Sequence, residues 1–204
     1  MIEKITELIE KLERTHSLSV EEYELLLEHR SDETAAILAE KADAVRREVY
    51  GNTVFIRGLI EVSNICRNDC LYCGIRRSNK SCDRYRLTKE QILECAEEGY
   101  ALGFRTFVLQ GGEGIFSAEH TANIVRELKN RYPDCAVTLS LGEYSREEYA
   151  LMREAGADRY LLRHETADKA HYDRLHPAEM SFDNRMRCLR DLPNLGFQVG
   201  CGFM

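Results

Sequence analysis

Thr106-Phe-Val-Leu-Gln110, then Ser117 opening a segment through Ile124, Val125 and Leu128, then Ala136-Val-Thr-Leu-Ser-Leu141: this strand–helix–strand stretch decides the fold. Each short apolar run is bounded by glycine or polar residues, and the segment between them has helical spacing. The pattern repeats outward. Upstream, Val54, Ile56, Leu59, Ile60 and Val62 mark a first strand. Thr88 and Gln91 form a capping box for a helix through Ile92, Leu93, Ala96 and Leu102, ended by Gly103. Downstream, Ser145 opens a helix through Tyr149, Leu151 and Met152 that stops near Gly156. Arg159-Tyr-Leu-Leu-Arg163 follows as a strand, Ser181 opens a helix through Met186 and Leu189, and Gly196-Phe-Gln-Val-Gly200 starts a fifth strand. Strands alternating with helices mean βα units and a parallel α/β sheet, expected to be buried on both faces.

Before the first strand the pattern is purely helical. Ile5, Leu8, Ile9 and Leu12 share one face of a helix over 3–14, Ser19 and Glu22 cap a second helix, and a third covers about 33–47. The expected organisation is an acidic helical lead-in over 1–50 and about five βα units of a barrel over 51–204. A closed barrel needs ~250 residues, so the 204-residue chain reads as the N-terminal part of a larger barrel.

Composition narrows the function classes. Residues 1–50 carry 7 basic and 13 acidic side chains, a net of −6; residues 51–204 carry 21 and 22, a net of −1. The acidity therefore belongs to the helical arm, and no clustered basic excess marks a nucleic-acid surface. Apolar runs are only a few residues long, which excludes a membrane helix. Met1-Ile2-Glu3-Lys4 does not open a secretory signal, so a cytoplasmic protein is expected.

Of eight cysteines, Cys66, Cys70 and Cys73 crowd into one loop after the first strand, while Cys82, Cys95, Cys135, Cys188 and Cys201 are scattered. Scattered cysteines in a reducing compartment behave as small hydrophobes, whereas a crowded trio points to metal or redox chemistry. C-x3-C-x2-C offers three thiolates to a 4Fe-4S cluster, leaving one iron for a small molecule. Zinc wants four closed ligands and the loop shows no obvious fourth; a dithiol Cys70–Cys73 pair leaves Cys66 unexplained. Functional groups in parallel α/β folds gather at the carboxyl ends of strands. Here those ends carry Ser63-Asn64, Gln110-Gly-Gly-Glu113, Ser140-Leu-Gly-Glu143 and Arg163-His-Glu-Thr166.

Cys66-Arg-Asn-Asp-Cys70-Leu-Tyr72-Cys73, with an aromatic residue before the last cysteine, resembles the signature of radical S-adenosylmethionine enzymes. From about residue 50 to 204 several further stretches resemble the branch of that family that matures FeFe hydrogenase. Among them are Cys73-Gly-Ile-Arg-Arg-Ser-Asn79, Thr138-Leu-Ser-Leu-Gly-Glu143 and Ala155-Gly-Ala-Asp-Arg-Tyr-Leu-Leu-Arg-His-Glu-Thr166. The resemblance implies a TIM-type (βα) barrel with a 4Fe-4S cluster on Cys66, Cys70 and Cys73. It also implies S-adenosylmethionine chelated by the open iron and cleaved to a 5′-deoxyadenosyl radical. By the same resemblance, Tyr72, Gly111, Gly112 and Glu113 would bind this cosubstrate, Glu113 through the methionine ammonium. Thr138 and Ser140 would face it, Arg163 and Glu165 would contact its ribose and methionine portions, and Arg185 would pair with its carboxylate. Gly111 departs from the serine-like residue of the family pattern, and Gly114 is less acidic than that pattern.

The implied role is hydrogenase H-cluster assembly on a small organometallic iron–cysteine substrate, with other maturases and an electron donor as partners. Two alternatives stand beside it: methylornithine synthase, a lysine mutase of the same family, and a non-catalytic iron–sulfur carrier. An internal Arg163–Glu165 ion pair is the structural alternative to their ligand role, and His164 is expected to pack. Arg67, Arg76, Arg77, Lys80, Arg84 and Arg86 against Asp69 and Asp83 give 67–86 a net of +4, read either as a field for an anionic cluster or as a solvated loop.

Overall fold

A computed structural model describes residues 1–203, so Met204 lies outside the described residues. The chain divides into two compact units, Met1–Phe55 and Ile56–Met204.

The first unit holds three helices: α1 (Ile2–Thr15), α2 (Val20–Glu28) and α3 (Asp32–Tyr50). Its core is Ile5, Leu8, Ile9 and Leu18, with Leu12, Leu25, Leu26, Ile37 and Leu38 packed against it. Ser19 caps α2 in a reciprocal box with Glu22, and Ser31 caps α3 with Thr34, each satisfying N–H groups that the first turn leaves open.

The second unit is a five-stranded parallel sheet in the order β1-β2-β3-β4-β5: β1 (Gly58–Ser63), β2 (Thr106–Gly111), β3 (Ala136–Ser140), β4 (Arg159–Leu161) and β5 (Gln198–Gly200). The connecting helices are α4 (Lys89–Ala101), α5 (Ala118–Arg131), α6 (Arg146–Glu154), α7 (Lys169–Leu175) and α8 (Phe182–Asn194). Sequential strands pair in sequence order, as the first turns of a βα barrel require.

Alternate strand residues point to opposite faces, and the two faces differ here. Ile60, Val62, Phe107, Leu109, Val137, Leu139 and Tyr160 join residues of α4, α5, α6 and α8 in one core. Fully burying a side chain of Val, Leu or Phe size contributes ~1.5–3 kcal/mol. The other face carries Leu59, Glu61, Gln110, Ser140, Arg159 and Gln198, and Leu59 is 53% exposed. The helical face is thus the more completely buried one, while the second face is buried at its centre, by Val108 and Thr138, and open toward its edges.

Three boundaries differ from the sequence reading. Val54 and Ile56 are exposed and precede β1, whose pairing with β2 starts at Gly58↔Phe107; their strand-forming side chains have no neighbouring strand. β4 stops at Leu161, and Glu165 bends the chain with a left-handed φ of 63° while His164 N and Glu165 N both donate to Gly202 O. The helix α7, capped by Asp168, has no counterpart in the sequence pattern, because seven residues with one buried side chain, Tyr172, show no period.

Candidate functional site

The cysteine loop leaves the sheet at the end of β1 and is stitched back to it. Ser63 Oγ donates to Tyr85 O at 2.6 Å, Leu87 N donates to Val62 O, and Ser63 forms an antiparallel bridge with Arg86. Inside that closed loop sits Arg84, half-buried. Its guanidinium donates to the carbonyls of Asn64, Ile75 (2.9 Å), Arg76 (2.8 Å) and Asn79 (3.0 Å). One side chain thus ties the residues before the cysteines to those after them. This resolves the basic cluster: Arg84 points inward, Arg67 pairs with Glu113, Arg77 pairs with Glu179, and Arg76 donates to Cys73 O. Of this cluster Arg84 and Arg76 serve the loop backbone, Arg67 and Arg77 reach carboxylates outside it, and Lys80 and Arg86 are exposed.

Cys66, Cys70 and Cys73 line a cavity of about 240 Å³ at the carboxyl edge of the sheet. Cys66 Sγ accepts from Glu113 N (3.3 Å) and Asn68 N (3.5 Å), which fixes the sulfur against the β2 turn. Burial, then the neighbouring Cys66 and Cys73 sulfurs, push the Cys70 thiol up to about 11. Thiols that hinder one another's ionisation are reconciled by a cationic group among them. Three cysteines line one cavity with no further cysteine or histidine among its lining residues, a donor set that suits a 4Fe-4S cluster with one open iron better than a closed four-ligand zinc site.

The strand ends supply the rest of the lining. After β2, Gly111 and Gly112 pass directly over the cysteine loop. A Cβ at Gly112 would overlap Ile65 O and stand 2.7 Å from Cys66 Cβ, so glycine is required there by the neighbouring backbone. Glu113 is 8% exposed; its Oε1 is 2.8 Å from Arg67 Nη2 and its Oε2 3.5 Å from Arg185 Nη2. After β3, Gly142 turns with φ 90°, and a Cβ there would stand 2.5 Å from Glu113 Cδ. The Gly142 carbonyl accepts from two buried tyrosines, Tyr149 (3.1 Å) and Tyr160 (2.8 Å).

Arg185, in the first turn of α8, is 7% exposed. Its Nε lies 2.8 Å from Glu143 Oε1, in ion-pair contact without hydrogen-bond alignment, and Nη1 donates to Arg163 O at 3.3 Å. Burial opposes its charge, but Glu143 and then Glu113 outweigh burial and raise its pKa.

Of the residues singled out in the sequence, Cys66, Cys70, Tyr72, Cys73, Gly111, Gly112, Glu113, Ser140, Arg163, Glu165 and Arg185 line this one cavity. Thr138 shares the Ser140 face of β3 but lies one pleat deeper, outside the lining, with its buried Oγ1 lacking a hydrogen-bond partner among the described residues. Arg163 and Glu165 pair at 3.5 Å, so the internal ion pair is present at the cavity wall. His164 is half-buried and does not line the cavity. Sequence reasoning placed Glu143 at a polar strand end but gave it no role, its partner Arg185 being 42 positions away. It missed Met180, 3.5 Å from Cys70 Sγ, and His176, which hydrogen-bonds the half-exposed Tyr72 hydroxyl at 3.2 Å and stacks on Tyr172. None of these contacts leaves a local sequence signal.

Residues 60–204 match the model of the Radical SAM superfamily. The chain is 46% identical over 200 residues to the FeFe hydrogenase maturase subunit HydE of Thermotoga maritima, covering 97% of this chain and 56% of that protein. It superposes on a crystal structure of methylornithine synthase with a TM-score of 0.82 at 29% identity, covering 96% of this chain and 58% of the other. A crystal structure of HydG, a maturase of the FeFe hydrogenase, shares the fold with a TM-score of 0.88 at 24% identity over all of this chain and 47% of its own. The chain spans about half the length of the curated relatives it matches. No described helix is long and apolar enough to cross a membrane.

Proposed function

The chain belongs to the radical SAM superfamily, and on that premise we propose that it works as a cytoplasmic maturase of FeFe hydrogenase. In this reading it acts on a small organometallic iron–cysteine species, with other maturases and an electron donor as partners. The observation that carries it is one cavity lined at once by the three cysteines and by polar residues from the ends of β1, β2, β3 and β4. The 46% identity to a HydE supports the maturase branch.

Cys66, Cys70 and Cys73 would hold a 4Fe-4S cluster, with Arg84 keeping their loop in shape. Such a cluster, when bound, supplies the electron that breaks the sulfonium C–S bond of S-adenosylmethionine to give a 5′-deoxyadenosyl radical. The protein's own contribution is to bind and orient. Glu113 would receive the methionine ammonium and Arg185 the carboxylate, a guanidinium fork on a carboxylate being a strong charge-assisted match. Arg163 and Glu165 would contact the ribose and methionine portions, Ser140 and Thr138 would face the ligand from β3, and Tyr72, Gly111 and Gly112 would border it. Gly112 lets the β2 turn pass close enough for Glu113 N to reach Cys66 Sγ.

The test is anaerobic reconstitution with iron and sulfide, then S-adenosylmethionine and a reductant. The expected products are methionine and 5′-deoxyadenosine, with Cys70→Ser losing both iron and cleavage. Bound cluster with intact S-adenosylmethionine would instead mark an iron–sulfur carrier. A second reading, methylornithine synthase, is favoured by the 0.82 superposition at 29% identity. Methylornithine formed from lysine would decide for it, and activation of apo-hydrogenase in a maturation mixture would decide for the maturase.

A further inference from the structure

Glu143 has no part in the roles above, yet its carboxylate is nearly buried, with a side chain 10% exposed. It is held from two sides. Oε2 accepts from Asn184 Nδ2 at 2.6 Å, and Oε1 stands 2.8 Å from Arg185 Nε, so both partners sit in the first turn of α8. Its backbone is fixed as well, because the preceding carbonyl, Gly142 O, is gripped by the Tyr149 and Tyr160 hydroxyls.

The two sides of the Arg185 guanidinium are therefore unequal. The Nε edge is closed by Glu143 at 2.8 Å, whereas Nη2 stands off from Glu113 Oε2 at 3.5 Å. Glu113 has its own tighter partner in Arg67, at 2.8 Å. The four charges thus resolve into two pairs, Glu143–Arg185 and Glu113–Arg67, with a loose seam between them. A zwitterion entering that seam adds no net charge and meets a cation on one side and an anion on the other. Without Glu143, Glu113 would be the remaining carboxylate in contact with Arg185, and closing that pair would shut the seam.

We propose that Glu143 is a positioning residue: it holds Arg185 by the Nε edge and so keeps Nη2 available for the carboxylate of an amino-acid ligand. The role rests on the S-adenosylmethionine reading above, and it adds a residue to which that reading gives no function.

The experiment is equilibrium binding to the reconstituted, non-reduced protein of two nucleosides, S-adenosylmethionine and decarboxylated S-adenosylmethionine. The second keeps the sulfonium and the amine but lacks the carboxylate. Glu143→Ala should weaken S-adenosylmethionine about tenfold or more, the effect of losing a charge-assisted contact, and change the decarboxylated ligand less than about twofold. Glu143→Gln, which keeps an acceptor for Asn184, should fall in between. Equal weakening of both nucleosides would show a merely structural role and overturn the proposal, as would undiminished S-adenosylmethionine affinity in Glu143→Ala. Thermal melts check folding, and if the alanine variant is unfolded the glutamine variant decides by the same comparison. Wild type that binds neither nucleoside would remove the S-adenosylmethionine reading and this role together; wild-type binding that Glu143→Ala leaves intact removes only the role.

Discussion

Arg84→Met tests how the cysteine loop is held. The substitution keeps an apolar stem of similar length and removes every donor. Four carbonyls lose their partner: Asn64, Ile75, Arg76 and Asn79. Because the site is only half-buried, water can replace part of each bond, and a net of ~0.5–1.5 kcal/mol per bond gives roughly 2–6 kcal/mol of local stability. The loss is local, since β1 to β5 and their helices pack without this side chain. The assay is amide hydrogen exchange of the cluster-free protein. The N–H groups of Cys73, Arg76, Arg77 and Asn79, which donate to Cys70 O, Cys73 O, Asn68 O and Arg76 O, report the loop, and those of β2 and β3 serve as the internal reference. At the low end of the range the loop amides should exchange about 30-fold faster, with the sheet unchanged and iron content after reconstitution reduced. Unchanged exchange in the loop would refute the claim that Arg84 holds it; equal acceleration in the sheet would refute the claim that the effect is local.

Two further outcomes test the turns behind the site. Gly112→Ala should lose ~1–3 kcal/mol through overpacking against the Ile65–Cys66 backbone and should bind less iron. Gly111→Ala, whose Cβ would sit 3.1 Å from Ser63 O and Val62 Cγ2, should be milder, and equal thermal midpoints for the two variants would refute the close-approach argument. Tyr160→Phe should cost ~1 kcal/mol in denaturant unfolding, because Gly142 O keeps Tyr149 as a donor. The Tyr149→Phe/Tyr160→Phe pair should cost more than the sum of the single variants, and strict additivity would show that the two hydroxyls do not share that carbonyl.

What was legible in the sequence was local. Ser19, Thr88, Ser117, Ser145 and Ser181 were readable as helix starts because each cap bonds an N–H only three residues on. The strand–helix alternation was readable because parallel strands need long crossovers that carry their own helical period. The start of β1 was misread because Val54 and Ile56 have strand-forming side chains but no strand beside them; strand formation is decided by the neighbour rather than by the residue. Arg84 is legible as a charge, but not as a donor turned inward onto four carbonyls.

Sequence alone therefore determined the βα order, the caps and the cysteine trio, each written in contacts a few residues apart. Only the tertiary structure decided that Arg185 meets Glu143 and Glu113, across 42 and 72 positions, and that Thr138 falls outside the cavity its neighbour Ser140 lines. Those outcomes depend on the register of β2 and β3 and on where α8 docks. Packing of the whole sheet sets both, and no window of the chain encodes them.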